Sequence, residues 1–396
     1  MSLAAQIAAV TATSLRHIPQ RLGSSLVIVI GMAGVVAVLI PVLAMSLGFR
    51  ATIEGDARAD RAIVLSRASE SEYESSVSRE AAAVIVDAAG IRRDAGNKPM
   101  LSAEVVLVAP VARKGDGSDV NVTLRGVGEQ YFAMRPELKL IDGRMLHAGT
   151  QELLVGAAAQ AQFAGLEIGN SIRLQDGDWT IVGVFAGGQG SRESEVIADV
   201  HTVMSAYKLN AYNTLAVALE TADSLATFQQ AVARDARLFV DVHSEPEYLA
   251  TASSSVNRML QLVAYTIGSI MGLGALFSAL NSMHAAVAAR TAEIATFRAI
   301  GFASSAVATA VLVEALLLAL IGAAIGVGVS YVAFGGKTIS TLGGAVFDSQ
   351  LVYALSIRPS LVLSVTALAC ALGLAGGLLP AIRAARSSIA DSLHET

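Results

Sequence analysis

The chain has 396 residues, a formal net charge of −5, 54% hydrophobic residues and only 15% charged ones. It is too apolar for an ordinary soluble protein and, with its polar middle, too polar for a pure membrane bundle, so a mixture of the two is expected. No Lys- or Arg-rich block is present, which argues against a nucleic-acid partner, and the one cysteine, Cys370, excludes an intrachain disulfide.

Residues 1–23 hold an apolar-leaning stretch, Leu3 to Leu15, followed by Arg16, His17, Pro19 and Arg21. The expectation is a cytoplasmic interfacial helix ending near Pro19, with a disordered tail as the alternative. Residues 24–48 are free of charge. Crossing a hydrocarbon layer about 30 Å thick takes about 20 apolar residues, so this run predicts transmembrane helix 1. It is too long for the apolar region of a cleaved signal peptide. Gly31, Gly34 and Pro41 within it are compatible with ordinary bundle packing.

Residues 49–258 are polar on average, with acids outnumbering bases, and predict one extracytoplasmic domain large enough to build its own core. Arg61–Arg67 reads as a strand, Ser76–Ala89 as a helix and Leu101–Val111 as a strand. The same order returns in Asn213–Leu219, in Ala222–Arg237 with Asp223 as its cap, and in Leu238–Val242. Two such halves predict a ferredoxin-like βαβ layer, with an inserted, mostly-β lobe over about 115–207. Within the lobe Val120–Val127 alternates, Leu153–Val155 and Ser171–Leu174 are short strands, and Trp179–Phe185 is the strongest strand signal. Turns are expected at Asp142-Gly143, Gly169-Asn170 and Asp176-Gly177-Asp178. Gly187–Ser191 is glycine-rich but lacks the lysine and spacing of a phosphate loop, and Gly336-Lys337-Thr338 has Tyr331 where the first glycine belongs.

Residues 259–283 predict transmembrane helix 2, continuing a helix that begins in Glu245–Asn257. Residues 284–304 predict a cytoplasmic coupling helix. Its stretch His284–Gly301 carries a charged stripe of Arg290, Glu293 and Arg298 beside Ile294, Phe297 and Ile300, with Gly301 to stop it and Ser304 or Ser305 to cap the next helix. Residues 305–334, transmembrane helix 3, contain Glu314 and then Gly322, Gly326 and Gly328 at close-packing spacing. An intramembrane carboxylate needs a partner, and structural pairing with the coupling helix is favoured over a proton relay. Residues 335–360 are a short extracytoplasmic loop, 361–381 transmembrane helix 4, and 382–396 a cytoplasmic tail with Arg383 and Arg386. Arg16, Arg21, Arg290, Arg298, Arg383 and Arg386 fall on one side of this four-span plan, which places both termini in the cytoplasm.

The six histidines are scattered without metal-ligand spacing, no nucleophile elbow is found, and charges within the spans are too few for an ion-coupled path. No catalytic, metal or cofactor-binding residue is therefore expected. The fold class is an α-helical membrane protein with four transmembrane helices plus a large α+β extracytoplasmic domain.

Three stretches carry a resemblance: ARTAEIATFRAIG at 289–301 with Glu314 downstream; LRGVGEQYF, LIDGRML, LLVGAAAQAQFAGLEIGNSIRL and WTIVGVF between 124 and 185; and LLPAIRAAR at 378–386. In order and content they resemble the MacB/FtsX-type (type VII) ABC transporter permeases, in the permease-only form without a fused nucleotide-binding domain. The resemblance implies a non-catalytic subunit in the bacterial inner membrane, paired with a second copy or a sister permease. It also implies two copies of a separate ABC ATPase that binds ATP and Mg, surrounding membrane lipid, and an extracytoplasmic adaptor or cargo. Hydrolysis would be passed to the ectodomain by mechanotransmission, driving export, efflux or lipoprotein release. Carried onto this chain, Arg290, Glu293, Phe297 and Arg298 would contact the ATPase, with Glu314 as an intramembrane coupling residue. The alternative is a membrane-anchored sensor or scaffold without an ATPase.

Overall fold

The computed structural model describes residues 2–17, 22–55, 57–115, 117–175, 177–187, 190–340 and 351–386. Pro19, Arg21, Asp176, Gly188, Gln189 and the tail beyond Arg386, all named above, lie outside the described residues. The chain forms two compact units: Met1–Leu47 with Arg258–Lys337 and Leu355–Thr396, and Gly48–Asn257 with Thr338–Ala354.

In chain order the helices α1 (Leu3–His17) and α2 (Leu22–Glu54) come first, then β1 (Arg61–Ser66), β2 (Val77–Ser78), α3 (Arg79–Ile85), β3 (Leu101–Ala112) and β4 (Asp119–Val127). There follow α4 (Tyr131–Met134), β5 (Lys139–Gly143), β6 (Glu152–Gly156), α5 (Ala157–Gln162), β7 (Ser171–Leu174), β8 (Gly177–Ala186), a 3-10 turn (Ser191–Ser194) and β9 (Val196–Asp199). Next are α6 (Val200–Ala206), β10 (Ala211–Tyr212), β11 (Thr214–Ala218), α7 (Ser224–Arg234) and β12 (Val240–Ser244). The chain closes with α8 (Glu245–Ala288), α9 (Thr291–Ala299), α10 (Ser304–Phe334), β13 (Thr338–Ser340), β14 (Val352–Ala354) and α11 (Pro359–Arg386).

Among the described residues four helices, α2, α8, α10 and α11, are long and apolar enough to cross a membrane. With no hydrophobic drive between helices in lipid, small residues decide how closely they pack. A Cβ at Gly322 would lie 2.7 Å from the Val29 carbonyl of α2, and one at Gly326 2.7 Å from that of Ala33. On α11, Gly373 and Gly377 lie against Ala319 and Ala315 of α10 in the same way, a Cβ at Gly377 meeting that of Ala315 at 2.7 Å. Gly328, expected to share this role, faces open space. Helix α11 runs through Pro380 to Arg386 rather than ending at the proline.

The other unit is built on a 10-stranded sheet of order β12-β1-β11-β3-β4-β9-β6-β8-β5, with β7 beside β8. Its first four strands, all antiparallel, with α3 and α7 between them in sequence, make the ferredoxin-like layer. The long strand β3 pairs β11 through Leu101–Glu104 and β4 through Val105–Ala112, which carries the sheet on into the lobe. Helices α3 and α7 cover one face through Ile85, Phe228 and Val232 against Ala62, Val64, Leu215 and Val217. Alternation along the strands sends Ile63, Leu65, Ala216 and Ala218 to the opposite face, with Met134 and Tyr248. Trp179 is fully buried in a separate core of the lobe.

Asp223 holds the N-cap position of α7 as expected, without a side-chain bond, whereas Ser78 caps α3 by accepting from the Ala81 amide at 3.1 Å. Two local expectations are corrected. Ala303, not Ser304 or Ser305, is the N-cap of α10. The expected loop after the third span contributes β13 and β14, which belong to the extracytoplasmic unit, where Ser194 Oγ accepts the Val352 amide at 3.0 Å.

Candidate functional site

Two groups of charged side chains stand out, one in each unit. In the membrane unit, the continuous helix expected over His284–Gly301 is broken. Helix α8 stops at Ala288, Arg290 takes the N-cap position of α9 with φ −118° and ψ 14°, and Gly301, at φ +99°, ends α9 in a conformation that suits glycine. The break lets the Arg290 guanidinium reach α10: its Nη2 donates to Glu314 Oε2 at 2.5 Å, and its Nε to the Ala286 carbonyl at 3.3 Å. Both side chains are 6% exposed, so the charges are paired where solvent does not screen them. Arg290 is therefore turned inward, unlike the outward-facing stripe that the sequence suggested.

The remaining expected residues lie on α9 itself. Glu293 is exposed, Phe297 is half-buried edge-on to Phe302 at 5.4 Å, and Arg298 is half-buried. Ile300, at 68% exposure, extends this surface. Helix α1 joins it: Gln6 Oε1 accepts the Ala303 amide at 3.0 Å, and Thr13 lines a recess of about 230 Å³ with Glu293, Thr296, Phe297 and Ile300. The sequence alone predicts an interfacial helix here; its contacts with α9 and with the Ala303 amide have no sequence signal of their own. The five expected residues thus divide into a fastener, Arg290 with Glu314, and an outward surface of Glu293, Phe297 and Arg298.

The second group has no counterpart in the sequence reading. On the sheet face opposite α3 and α7, Arg125 of β4 holds three carboxylates. Its Nε and Nη2 donate to Glu195 at 2.7 and 3.1 Å, its Nη1 to Glu104 at 2.8 Å, and its Nη2 also to Glu72 at 2.9 Å. Arg192 adds a bond to Glu195 at 3.3 Å. Arg135 lies 3.9 Å from Glu104, 4.6 Å over the Tyr131 ring, and donates to Glu245 at 3.2 Å. Glu245, the first residue of α8, also takes Arg61 Nη1 at 3.3 Å and the Arg58 amide at 3.1 Å.

Burial alone would push Glu72 and Glu195 toward protonation, but the guanidiniums of Arg125 and Arg192 outweigh it and hold both carboxyls below their ordinary range. Burial likewise opposes the Arg125 charge, and Glu195, Glu72 and Glu104 more than compensate. Tyr131 is pushed up to about 12, chiefly by burial. Each of these charges is paired, and Glu104, Arg125 and Glu245 are set on β3, β4 and α8, an arrangement suited to fixing geometry.

Residues 23–235 match the sequence profile described as MacB-like periplasmic core domain, and residues 265–389 match the FtsX-like permease C-terminal profile. A relative named macrolide export ATP-binding/permease protein MacB, from Neisseria gonorrhoeae, is 25% identical over 296 residues, covering 70% of this chain and 44% of the relative. An uncharacterized ABC transporter permease YknZ of Bacillus subtilis is 26% identical over 214 residues, covering 51% of this chain and 49% of that protein. The chain thus spans less than half the length of both relatives. The crystal structure of the periplasmic region of MacB from Actinobacillus actinomycetemcomitans aligns with a TM-score of 0.38 at 13% identity, covering 50% of this chain and 95% of that one.

Proposed function

The chain belongs to the MacB/FtsX-type family of ABC transporter permeases, and from that premise we propose that it is the non-catalytic membrane subunit of an ABC transporter whose separate ATPase docks on α9. The observation that carries this reading is the surface of α9. An aromatic side chain and an exposed carboxylate stand beside Thr13 of α1, on a helix fastened to α10 by a buried ion pair. A partner helix or groove closing on Phe297 would gain apolar burial, and Glu293 would set its register by charge. The fastener gives a push on α9 a direct path into α10. ATP and Mg would be bound by the ATPase, present in two copies, with a second permease copy completing the assembly. The work would be done on the extracytoplasmic side as mechanotransmission, in export, efflux or lipoprotein release, with both termini in the cytoplasm of a bacterial cell.

The test is to purify the tagged chain from its native membrane and assay the material for ATP hydrolysis. A stoichiometric nucleotide-binding subunit is expected, lost on Phe297→Ala and retained but uncoupled from transport on Glu293→Lys. A chain that is isolated alone and also crosslinks to no ATPase in cells overturns the proposal.

A further inference from the structure

Where α8, α9 and α11 come together, the membrane unit has a recess of about 600 Å³ whose polar lining is Asn281, His284, Thr291, Arg383 and Arg386. Three observations bear on what it takes. First, among the described residues its lining has two guanidiniums and no carboxylate. Among the described residues, Glu314 is directed to Arg290 and Glu293 to the recess beside α1. Second, Arg383 and Arg386 form no ion pair or side-chain hydrogen bond among the described residues, although they lie one turn apart on α11 and repel each other. Third, the recess lies at the end of two apolar runs, just past Met283 on α8 and just past Ala381 on α11, and its wall includes Val287 and Ile294. The negative end of the α11 dipole accounts for basic residues there, but not for their facing polar groups of α8 and α9 across a cavity.

We propose that this recess binds the phosphate of an anionic phospholipid, Arg383 and Arg386 taking its oxygens while Val287 and Ile294 meet the first acyl carbons. Guanidinium matches phosphate in charge and fork geometry, and basic pockets between spans are suited to acidic head groups. The apolar wall at membrane depth selects a lipid over free phosphate.

The experiment uses the full chain in phosphatidylcholine nanodiscs titrated with fluorescent phosphatidylglycerol, with fluorescent phosphatidylcholine as the zwitterionic control. Saturable binding of phosphatidylglycerol alone is expected, and each guanidinium removed weakens it by about fivefold. Arg383→Gln with Arg386→Gln should therefore abolish most of it. Arg383→Lys with Arg386→Lys keeps the charge at the helix end and should retain part of it, which separates lost binding from lost folding. Equal binding of the two lipids overturns the proposal, as does equal binding by the wild type and the Gln pair. So does displacement of the lipid by inorganic phosphate, which would make this a general anion site. Binding that emerges only when residues 387–396 are deleted would show the chain's own tail to be the occupant. Loss of a co-purified ATPase from the Gln pair with unchanged lipid binding would assign the recess to that protein instead.

Discussion

Arg125→Met removes the cation that holds the extracytoplasmic charge cluster together while keeping an unbranched side chain. Glu195 retains Arg192 at 3.3 Å and Glu104 retains only the distant Arg135 at 3.9 Å, while Glu72 loses its one charged bond. Breaking a buried pair costs about 3–5 kcal/mol, because the abandoned charge stays desolvated. That is a large share of the roughly 5–15 kcal/mol that stabilises a typical domain. The chain contains a single tryptophan, Trp179, fully buried in the lobe, so its emission during urea unfolding of the full chain in detergent reports on this unit alone. The loss should depend on pH. In the wild type, Glu72 and Glu195 have lowered pKa values, so their contribution is complete above the unfolded value near 4.3 and is lost as pH falls through the lower folded values. Without Arg125, burial dominates and raises these pKa values above the unfolded one. The deficit should then shrink between pH 7 and about pH 5 as the stranded carboxyls take up protons. A variant within about 1 kcal/mol of the wild type at pH 7, with no such recovery, would refute the reasoning.

Glu314→Gln leaves Arg290 buried without its counter-charge and should lower the stability of the membrane unit by about 3–5 kcal/mol, seen as an earlier thermal transition in detergent. Gly326→Leu should loosen α10 from α2, since even a Cβ there would lie 2.7 Å from the Ala33 carbonyl. The cost should be at least about 1–3 kcal/mol, against little change for Gly328→Leu, which faces open space.

What the sequence made legible follows the strength of its periodicities. The spans show as apolar runs of sufficient length, and the ferredoxin-like layer shows because strand–helix–strand recurs at both ends of the polar segment. Strand β5, KLIDG, is exposed along its whole length and so lacks the alternation that marks a half-buried strand, while β9 has only four residues. The break before α9 was invisible, because Ala288, Ala289 and Arg290 are good helix formers and neither Gly nor Pro interrupts them. The pull of Glu314 on Arg290 overrides that propensity. Glu104 and Arg125 did carry a signal, as single charges within apolar strands, but pairing them requires the register that sets Val106 opposite Arg125, and no local pattern encodes it.

The position of Glu245 says more than its bonds alone. The chain enters the extracytoplasmic unit from α2, which ends at Glu54, and leaves it through α8, which begins at Glu245. Within that unit the Glu245 carboxylate takes the Arg58 amide, just past the entry, together with Arg61 of β1 and Arg135, the residue after α4. Ser253, two turns into α8, donates to Glu54 Oε1 at 3.2 Å. Entry and exit are thus joined twice, once through a buried carboxylate at a helix N-terminus, where the dipole favours its charge. Apolar contacts could give comparable stability, but they tolerate sliding. Charged bonds with fixed donors do not, because a shift of an ångström or two leaves a desolvated ion without its partner. Arg61, Arg135 and Glu245 meet where the first turn of α8 joins the sheet, so the start of that helix is held in register with the strands rather than free to slide.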